Sequence, residues 1–241
     1  MTIHKIVILT GAGISAESGL GTFRDKDGIW TKYPLEDLAT PEGFERNPEF
    51  VHGFYNDRRA ALITARPHAG HTALARFEEE WCARGNEFVL VTQNVDNLHE
   101  QAGSSSERLI HMHGELMKVR CGLCGTVVEQ SEAISTESIC TACGQKGHMR
   151  PHVVWFGEIP FGMDEISLAL STVDLFISVG TSGNVYPAAG FVEMARTVGA
   201  RTVELNLEPS ENAHVFDETL YGPASEIVPR WTRDFLASQP D

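Results

Sequence analysis

Four short apolar runs, each ending in small or hydrogen-bonding residues, constrain this chain more than any other feature. Ile-Val-Ile-Leu at 6–9 breaks at Thr10 into Gly11-Ala12-Gly13, and Phe-Val-Leu-Val-Thr at 88–92 runs into Gln93-Asn94-Val95-Asp96. Leu-Phe-Ile-Ser-Val at 175–179 runs into Gly180-Thr181-Ser182, and Thr-Val-Glu-Leu at 202–205 into Asn206-Leu207-Glu208. Runs this apolar read as strands buried on both faces, the condition of a parallel sheet covered by helices. Ligands of such sheets bind beyond the carboxyl ends of the strands, where these polar residues fall. The first end, Gly11 to Ala16, is a G-x-G-x-x-A turn whose backbone N–H groups suit a pyrophosphate. Alone, that turn is shared with many ordinary strand-to-helix connections. Four strand ends of the same character favour one common site. No acid-bearing strand follows about 20 residues later, so the turn lacks the rest of a hydride-transfer fingerprint.

Helical patterns fill the intervals. Asn47-Pro48-Glu49 gives a cap, a first-turn proline and an early acid for a helix over 48–65. Pro67 opens a second, with Leu74, Phe77 and Trp81 on its inner side and Gly85 stopping it. Further helices are expected after 93–99, over 164–171, from Pro187 to Gly199 and over 224–237, with short strands at 109–111 and 153–156. Residues 27–39 read as irregular, with at most one helical turn. The predicted class is α/β: a Rossmann-like, mainly parallel sheet with helices on both faces. Residues 1–115 and 150–241 would form this domain, with a helical insertion at about 28–66, and 116–149 a small inserted module.

That module carries Cys121-Gly122-Leu123-Cys124 and Cys140-Thr141-Ala142-Cys143. Two C-x-x-C knuckles at this spacing can present four thiolates tetrahedrally, so one structural Zn²⁺ is expected on Cys121, Cys124, Cys140 and Cys143, with Cys82 an unrelated buried thiol. A redox dithiol fits less well, because that motif comes singly. A net charge of −14 gives no basic face for a phosphate backbone, so no nucleic-acid partner is expected. No apolar run approaches the roughly 20 residues of a membrane span, and the first residues lack a signal-peptide pattern, so a cytoplasmic, non-membrane location is expected.

Taken in order, Gly-Ala-Gly-Ile-Ser at 11–15, Thr-Phe-Arg-Asp at 22–25, Gln-Asn-Val-Asp at 93–96 and His-Gly-Glu at 113–115 lead into the two cysteine knuckles. Val-Val-Trp-Phe-Gly-Glu at 153–158, Gly-Thr-Ser at 180–182 and Asn-Leu-Glu at 206–208 follow. The set resembles the sirtuins, NAD-dependent protein-lysine deacylases, over about residues 5–236, and is similar to bacterial members of the class III deacetylase and desuccinylase branch. Gly21 stands where many members have proline, and Val95 where isoleucine is commoner.

The resemblance implies that NAD is cleaved rather than reduced. The acyl oxygen of a modified lysine attacks the ribose carbon bearing nicotinamide, a base activates a ribose hydroxyl, and the products are nicotinamide, free lysine and an O-acyl-ADP-ribose. It assigns the base to His113, an imidazole being mostly neutral at pH 7. Asn94 and Asp96 are the accompanying catalytic residues, an amide and a carboxylate that suit the nicotinamide carboxamide. Gly11, Ala12, Gly13 and Ser15 would hold phosphates or ribose, with Thr22, Phe23 and Arg24 closing over the cofactor as a lid. Gln93 and Val95 complete the ribose side, Gly180, Thr181, Ser182, Asn206, Leu207 and Glu208 the adenosine half, and Ala224 the adenine contact. His111 is expected to be a packed or surface histidine facing away.

Tyr55 and Arg58, three apart on the helix over 48–65, resemble the pair with which one branch binds the distal carboxylate of succinyl and malonyl groups. Outside this family, a Y-x-x-R is an ordinary, partly exposed helix pair. Val154, Trp155, Phe156, Gly157 and Glu158 on one side, and the loop containing Asn184 and Val185 on the other, would flank an acyl-lysine protein or peptide bound as an added strand. Read without the family, 153–156 is one more core strand. Two further readings compete: ADP-ribosyl transfer from the same intermediate, and an NAD-sensing module whose zinc ribbon docks a partner.

Overall fold

The computed structural model describes residues 3–21 and 34–239. Its main sheet contains β1 (Lys5–Thr10), β2 (Glu87–Thr92) and β3 (Leu109–His111). A second, antiparallel sheet is made by β4 (Gly114–Cys121), β5 (Val127–Glu129) and β6 (Met149–Val153), and the chain then returns to the main sheet as β7 (Leu175–Val179), β8 (Arg201–Asn206) and β9 (Glu218–Tyr221). The main sheet has six strands in the order β3-β2-β1-β7-β8-β9, every pair parallel. The described helices are α1 (Ala12–Ser15), α2 (Leu35–Leu38), α3 (Pro41–Arg46), α4 (Pro48–Thr64), α5 (Ala69–Ala83), α6 (Leu98–Ala102), α7 (Met163–Leu170), α8 (Phe191–Thr197) and α9 (Ala224–Ser238).

Alternation along β1 sends side chains to two cores. Ile6 and Ile8 join Leu90, Ile177 and Val203 beneath Phe77 and Trp81 of α5 and Trp231 and Phe235 of α9. Val7 and Leu9 join Val91 and Phe176 beneath Ile166 and Leu170 of α7 and Phe191, Val192 and Ala195 of α8. All four β1 side chains are buried, each stabilising the fold by about 1.5–3 kcal/mol. This is the predicted α/β sheet, covered on both faces.

The order reverses at β1: the chain first moves outward through β2 and β3, then crosses back to the other side of β1 as β7. The connections leaving β1 and β7 therefore diverge and open a crevice. At its base the two backbones touch. Gly11 N–H donates to Val179 O at 3.0 Å and Gly13 N–H to Gly180 O at 2.9 Å. A Cβ on Gly13 would lie 2.7 Å from Gly180 Cα, and one on Gly180, whose φ is +63°, would lie 2.4 Å from Ile14 N. The glycines are required by contact between two backbones as well as by any approach of a ligand.

The structure corrects the expected core strand at 153–156. Only Val153 is in a strand, and that strand, β6, pairs with β4 in the small sheet. The donors of the following residues are taken elsewhere: Val154 N–H by His113 O at 2.9 Å, Trp155 N–H by Glu158 Oε2 at 2.8 Å and Phe156 N–H by Ala39 O at 2.8 Å. With those donors pinned to three different segments, no ladder can continue. Helix α5 begins at Ala69 rather than Pro67, because His68 Nδ1 caps it by accepting from Gly70 N–H at 2.9 Å. The helix expected from Pro187 starts as a 3₁₀ turn, Ala188–Gly190, before α8. Within 27–39, the described part holds the single turn α2; 27–33 lie outside the described residues. Helix α4 packs on the small sheet through Val51, Tyr55, Leu62, Leu116, Val153 and Trp155. No described helix is long and apolar enough to cross a membrane.

Candidate active site

At the carboxyl ends of β1 and β2, the sequence places polar residues on backbones that the apolar strands hold rigid. Ser15, Asn94 and Asp96 are buried, at 2, 4 and 6 % exposure, and joined to one another. Ser15 Oγ donates to Asp96 Oδ2 at 2.9 Å, and Asn94 Nδ2 donates to Ser15 Oγ and to Gly11 O, both at 3.1 Å. Asp96 Oδ1 accepts from Leu98 N–H at 3.1 Å. Burial pushes the Asp96 carboxyl above its ordinary range, opposed by the hydrogen bonds from Leu98 and Ser15.

Behind this trio stands a group of histidines. His68 Nε2 donates to Ile14 O at 2.6 Å, and His71 Nδ1 accepts from His68 N–H at 3.4 Å, which turns its Nε2 toward Ser15 Oγ at 3.5 Å. His99 Nε2 meets Thr10 Oγ1 at 3.0 Å, and Thr10 Oγ1 donates to Thr92 Oγ1 at 2.9 Å. Burial lowers His71 to about 3 and His99 well below its usual value, so both are neutral. Sequence reasoning assigned these histidines no role. The spacing of His68 and His71 across the first turn of α5 was the available signal, a capping box made of imidazoles.

Two other histidines grip successive carbonyls after β2. His113 Nδ1 lies 3.0 Å from Gln93 O and His111 Nδ1 3.3 Å from Asn94 O. A carbonyl only accepts, so His113 carries its proton on Nδ1 and presents Nε2 as a lone pair. Burial lowers its pKa, outweighing the Gln93 hydrogen bond that raises it, and the ring is neutral at pH 7. His111 is the opposite case. Burial disfavours its charged form, but the hydrogen bond and charge of Glu100, 2.9 Å from Nε2, outweigh burial and raise its pKa above the usual histidine value. The two neighbouring histidines are thus shifted in opposite directions, with the Glu100 carboxylate the main difference between them.

A cavity of about 560 Å³ opens beside the trio, lined among others by Ala12, Ser15, Asn94, Val95, Asp96, Phe54, Arg58, Leu62 and Leu116. Of the Tyr55 and Arg58 pair, Arg58 lines this cavity, with its guanidinium 5.7 Å from the Phe54 ring centroid. Tyr55 is not among the lining residues and is 7 % exposed; its Oη accepts from Trp155 Nε1 at 3.0 Å. Burial pushes the phenol up to about 12.

The segment 154–158 is tied at Val154 to His113, and its Glu158 carboxylate is engaged inward by Arg120, Arg150 and the Trp155 N–H. Phe156 is 40 % exposed, and Gly157 takes φ +92° in the turn. On the other side, Val185 shares the lining of a small cavity with Gln93 and Thr181, while Asn184 is exposed.

Toward the far end of the crevice, Thr181 Oγ1 and Ser178 Oγ are 2.8 Å apart, and Asn206 Nδ2 donates to Thr181 O at 2.8 Å, tying the ends of β7 and β8 together. Ser182, Leu207 and Glu208 are exposed. Ala224 begins α9, whose first turn is held by Glu17, with Oε1 accepting Ser225 N–H at 3.0 Å. Thr22, Phe23 and Arg24 lie outside the described residues.

At the end of β4 and in the connections on either side of β5, Cys121, Cys124, Cys140 and Cys143 gather with all four Sγ atoms within 4.8 Å of one another. Cys121 and Cys143 are 3.9 Å apart and Cys124 and Cys140 3.7 Å. A tetrahedron with Zn–S bonds of about 2.3 Å has edges of about 3.8 Å, so the four sulfurs fit one structural zinc. Cys82 lies apart from them as a free, half-buried thiol.

The open parallel sheet, the glycine crevice at its switch point and the four-thiolate module define a dinucleotide-binding α/β enzyme with a zinc ribbon. The model of the Sir2 family matches residues 11–187. The NAD-dependent protein deacylase of Caulobacter vibrioides is 59 % identical over 235 residues, covering 98 % of each chain. Among solved structures, a Sir2 homologue in complex with NAD superposes with a TM-score of 0.86 at 37 % identity, covering 97 % of this chain and 90 % of that one. A Sir2 protein with a deacetylated p53 peptide and 3′-O-acetyl-ADP-ribose gives 0.81 at 28 % identity, covering 95 % and 93 %. The chain belongs to the Sir2 family, the sirtuins, and is an NAD-dependent enzyme of that family.

Proposed function

We propose that the chain removes acetyl, and also succinyl and malonyl, groups from protein lysines, releasing nicotinamide and O-acyl-ADP-ribose. NAD, consumed as co-substrate, supplies the electrophilic ribose carbon. The observation that carries the reading is His113: with Nδ1–H given to Gln93 O, its neutral Nε2 is a base ready to take a ribose hydroxyl proton at physiological pH. Asn94, with its amide oriented by Ser15 and Gly11, and Asp96 bind the carboxamide and receive the leaving nicotinamide. Gly11, Ala12, Gly13, Ser15, Gln93 and Val95 hold the phosphates and first ribose. Gly180, Thr181, Ser182, Asn206, Leu207, Glu208 and Ala224 hold the adenosine, and Thr22, Phe23 and Arg24 cover the whole.

The acyl-lysine protein lies as an added strand between 154–158 and the loop with Asn184 and Val185, as the peptide-bound Sir2 relative supports. Arg58, lining the cavity, and Tyr55, its proton retained by burial, bind the distal carboxylate of longer acyl groups. Residues 1–115 with 150–241 act as the NAD-binding domain, 28–66 as a helical insertion in it and 116–149 as the zinc module. The net charge of −14 fits a cytoplasmic protein without nucleic-acid partners.

Incubation with NAD and matched acetyl- and succinyl-lysine peptides, read by mass spectrometry, tests the reading. Nicotinamide and O-acyl-ADP-ribose are expected from both. No nicotinamide release from any acyl peptide would overturn deacylation. Equal loss of both activities in Arg58→Met would overturn the carboxylate role.

A further inference from the structure

Tyr55, buried one helical turn before the cavity-lining Arg58, holds a polar link to a distant segment. Trp155 is 2 % exposed, yet its indole N–H has a partner: Nε1 donates to Tyr55 Oη at 3.0 Å, across 100 residues of chain. The indole itself is held from several sides. Its main-chain N–H donates to Glu158 Oε2 at 2.8 Å, and the Arg150 guanidinium lies over its ring, 3.3 Å from the centroid. That guanidinium is fixed in turn by Glu158, at 2.7 Å from Nη1 and 3.0 Å from Nη2. Phe44 packs against the same ring at a centroid distance of 5.2 Å. An indole clamped in this way offers its N–H in one direction only.

A phenol oxygen has one proton to give and lone pairs to receive with. In Tyr55 a lone pair is taken by Trp155, while the O–H has no acceptor among the described residues. Burial keeps that proton in place across the physiological range. Arg58 stands one turn further along the same helix and lines the cavity. A free-turning phenol could accept from a guanidinium or donate to an anion. One whose accepting side is occupied is biased toward donation.

We infer that Trp155 is a positioning residue for acyl-chain selectivity: by donating to Tyr55 Oη, it commits the phenol's own proton to a carboxylate bound beside Arg58. The inference rests on the proposal that Tyr55 and Arg58 receive the distal carboxylate. A short neutral acyl group has no acceptor to place there, so the link acts on succinyl and malonyl chains and not on acetyl.

The test compares kcat/KM for succinyl- and acetyl-lysine forms of one peptide. In Trp155→Phe the succinyl-to-acetyl ratio falls about three- to tenfold, the size of one neutral hydrogen bond, with the loss carried in KM for the succinyl peptide. Tyr55→Phe lowers the same ratio, and the double variant lowers it no further than Tyr55→Phe alone. A ratio unchanged in Trp155→Phe, or losses that multiply in the double variant, would overturn the inference. A second measurement needs no variant that must fold: in the ¹⁵N-labelled wild type, the Trp155 indole N–H resonance shifts with succinyl-lysine peptide and stays with the acetyl form. Equal shifts with both would also overturn it. Arg58→Met separates the two levels. If it leaves the ratio intact, the carboxylate reading itself falls; if it lowers the ratio and Trp155→Phe does not, only the role of Trp155 falls.

Discussion

At the ends of β1 and β7, Gly11, Gly13 and Gly180 meet backbone to backbone and stand on strands buried on both faces. Beside the small sheet, Cys121 and Cys140 belong to a buried cluster whose other buried members are only Val119, Ile134 and Met149. The crevice is rigid before any ligand arrives, because its geometry is a by-product of a large core. The module has too little apolar surface to order itself that way, and the fit of its thiolates to one metal supplies what the core does not. One region can afford to spend its side chains on chemistry; the other spends them on standing up.

Removing the metal damages the protein most. Cys121→Ser or a strong chelator removes one zinc equivalent by elemental analysis and, with structural zinc worth on the order of 10 kcal/mol, unfolds the module, seen as lost protection of 116–149 in hydrogen exchange. His113→Ala comes next, with kcat lowered about 10²- to 10⁴-fold in nicotinamide release and little change in melting temperature, since its ring serves chemistry. Gly13→Ala follows. Its Cβ would meet Gly180 Cα at 2.7 Å, and a stability loss of about 2–4 kcal/mol in denaturant titration is expected, with ADP-ribose affinity lost alongside.

The smallest effects are pH-dependent and have opposite signs on neighbouring groups. His71 and His99 have lowered pKa values, so their contribution is complete above about pH 6.5 and is lost as pH falls toward the depressed values, which for His71 is about 3. His111 is raised by Glu100, so that pair stabilises fully below about pH 6.5 and fades as pH rises through the raised value. Glu100→Gln therefore costs stability in melts at pH 6 and much less at pH 9. An equal cost at both would show that the pair is held by packing alone.

The sequence disclosed what depends on local pattern. The strand ends, the helices after Asn47 and before Gly85, and the cysteine knuckles were all legible, because period, caps and spacing are written in adjacent residues. What it hid depends on distance. Strand β4 buries alternate residues, but the alternation slips by one at Met117 and Lys118, where its register with β6 shifts between Glu115 and Val119, which blurs the period-2 signal and hid the pairing of the small sheet. The strand misplaced at 153–156 failed for the same reason: its apolar residues pack against α4 rather than pair in the main sheet. Neither the Trp155–Tyr55 link nor the His71–Ser15 contact has any trace in local composition, since each joins segments that only the finished fold brings together.

The contact of Gly13 with Gly180 ties the two halves of the chain to a common fate. Neither glycine can acquire a side chain unless the opposite backbone retreats, and retreat would widen the place where the pyrophosphate is expected to sit. Mutational drift at one position is therefore vetoed by the other, and a library randomised at both should return almost exclusively glycine pairs among its NAD-cleaving survivors.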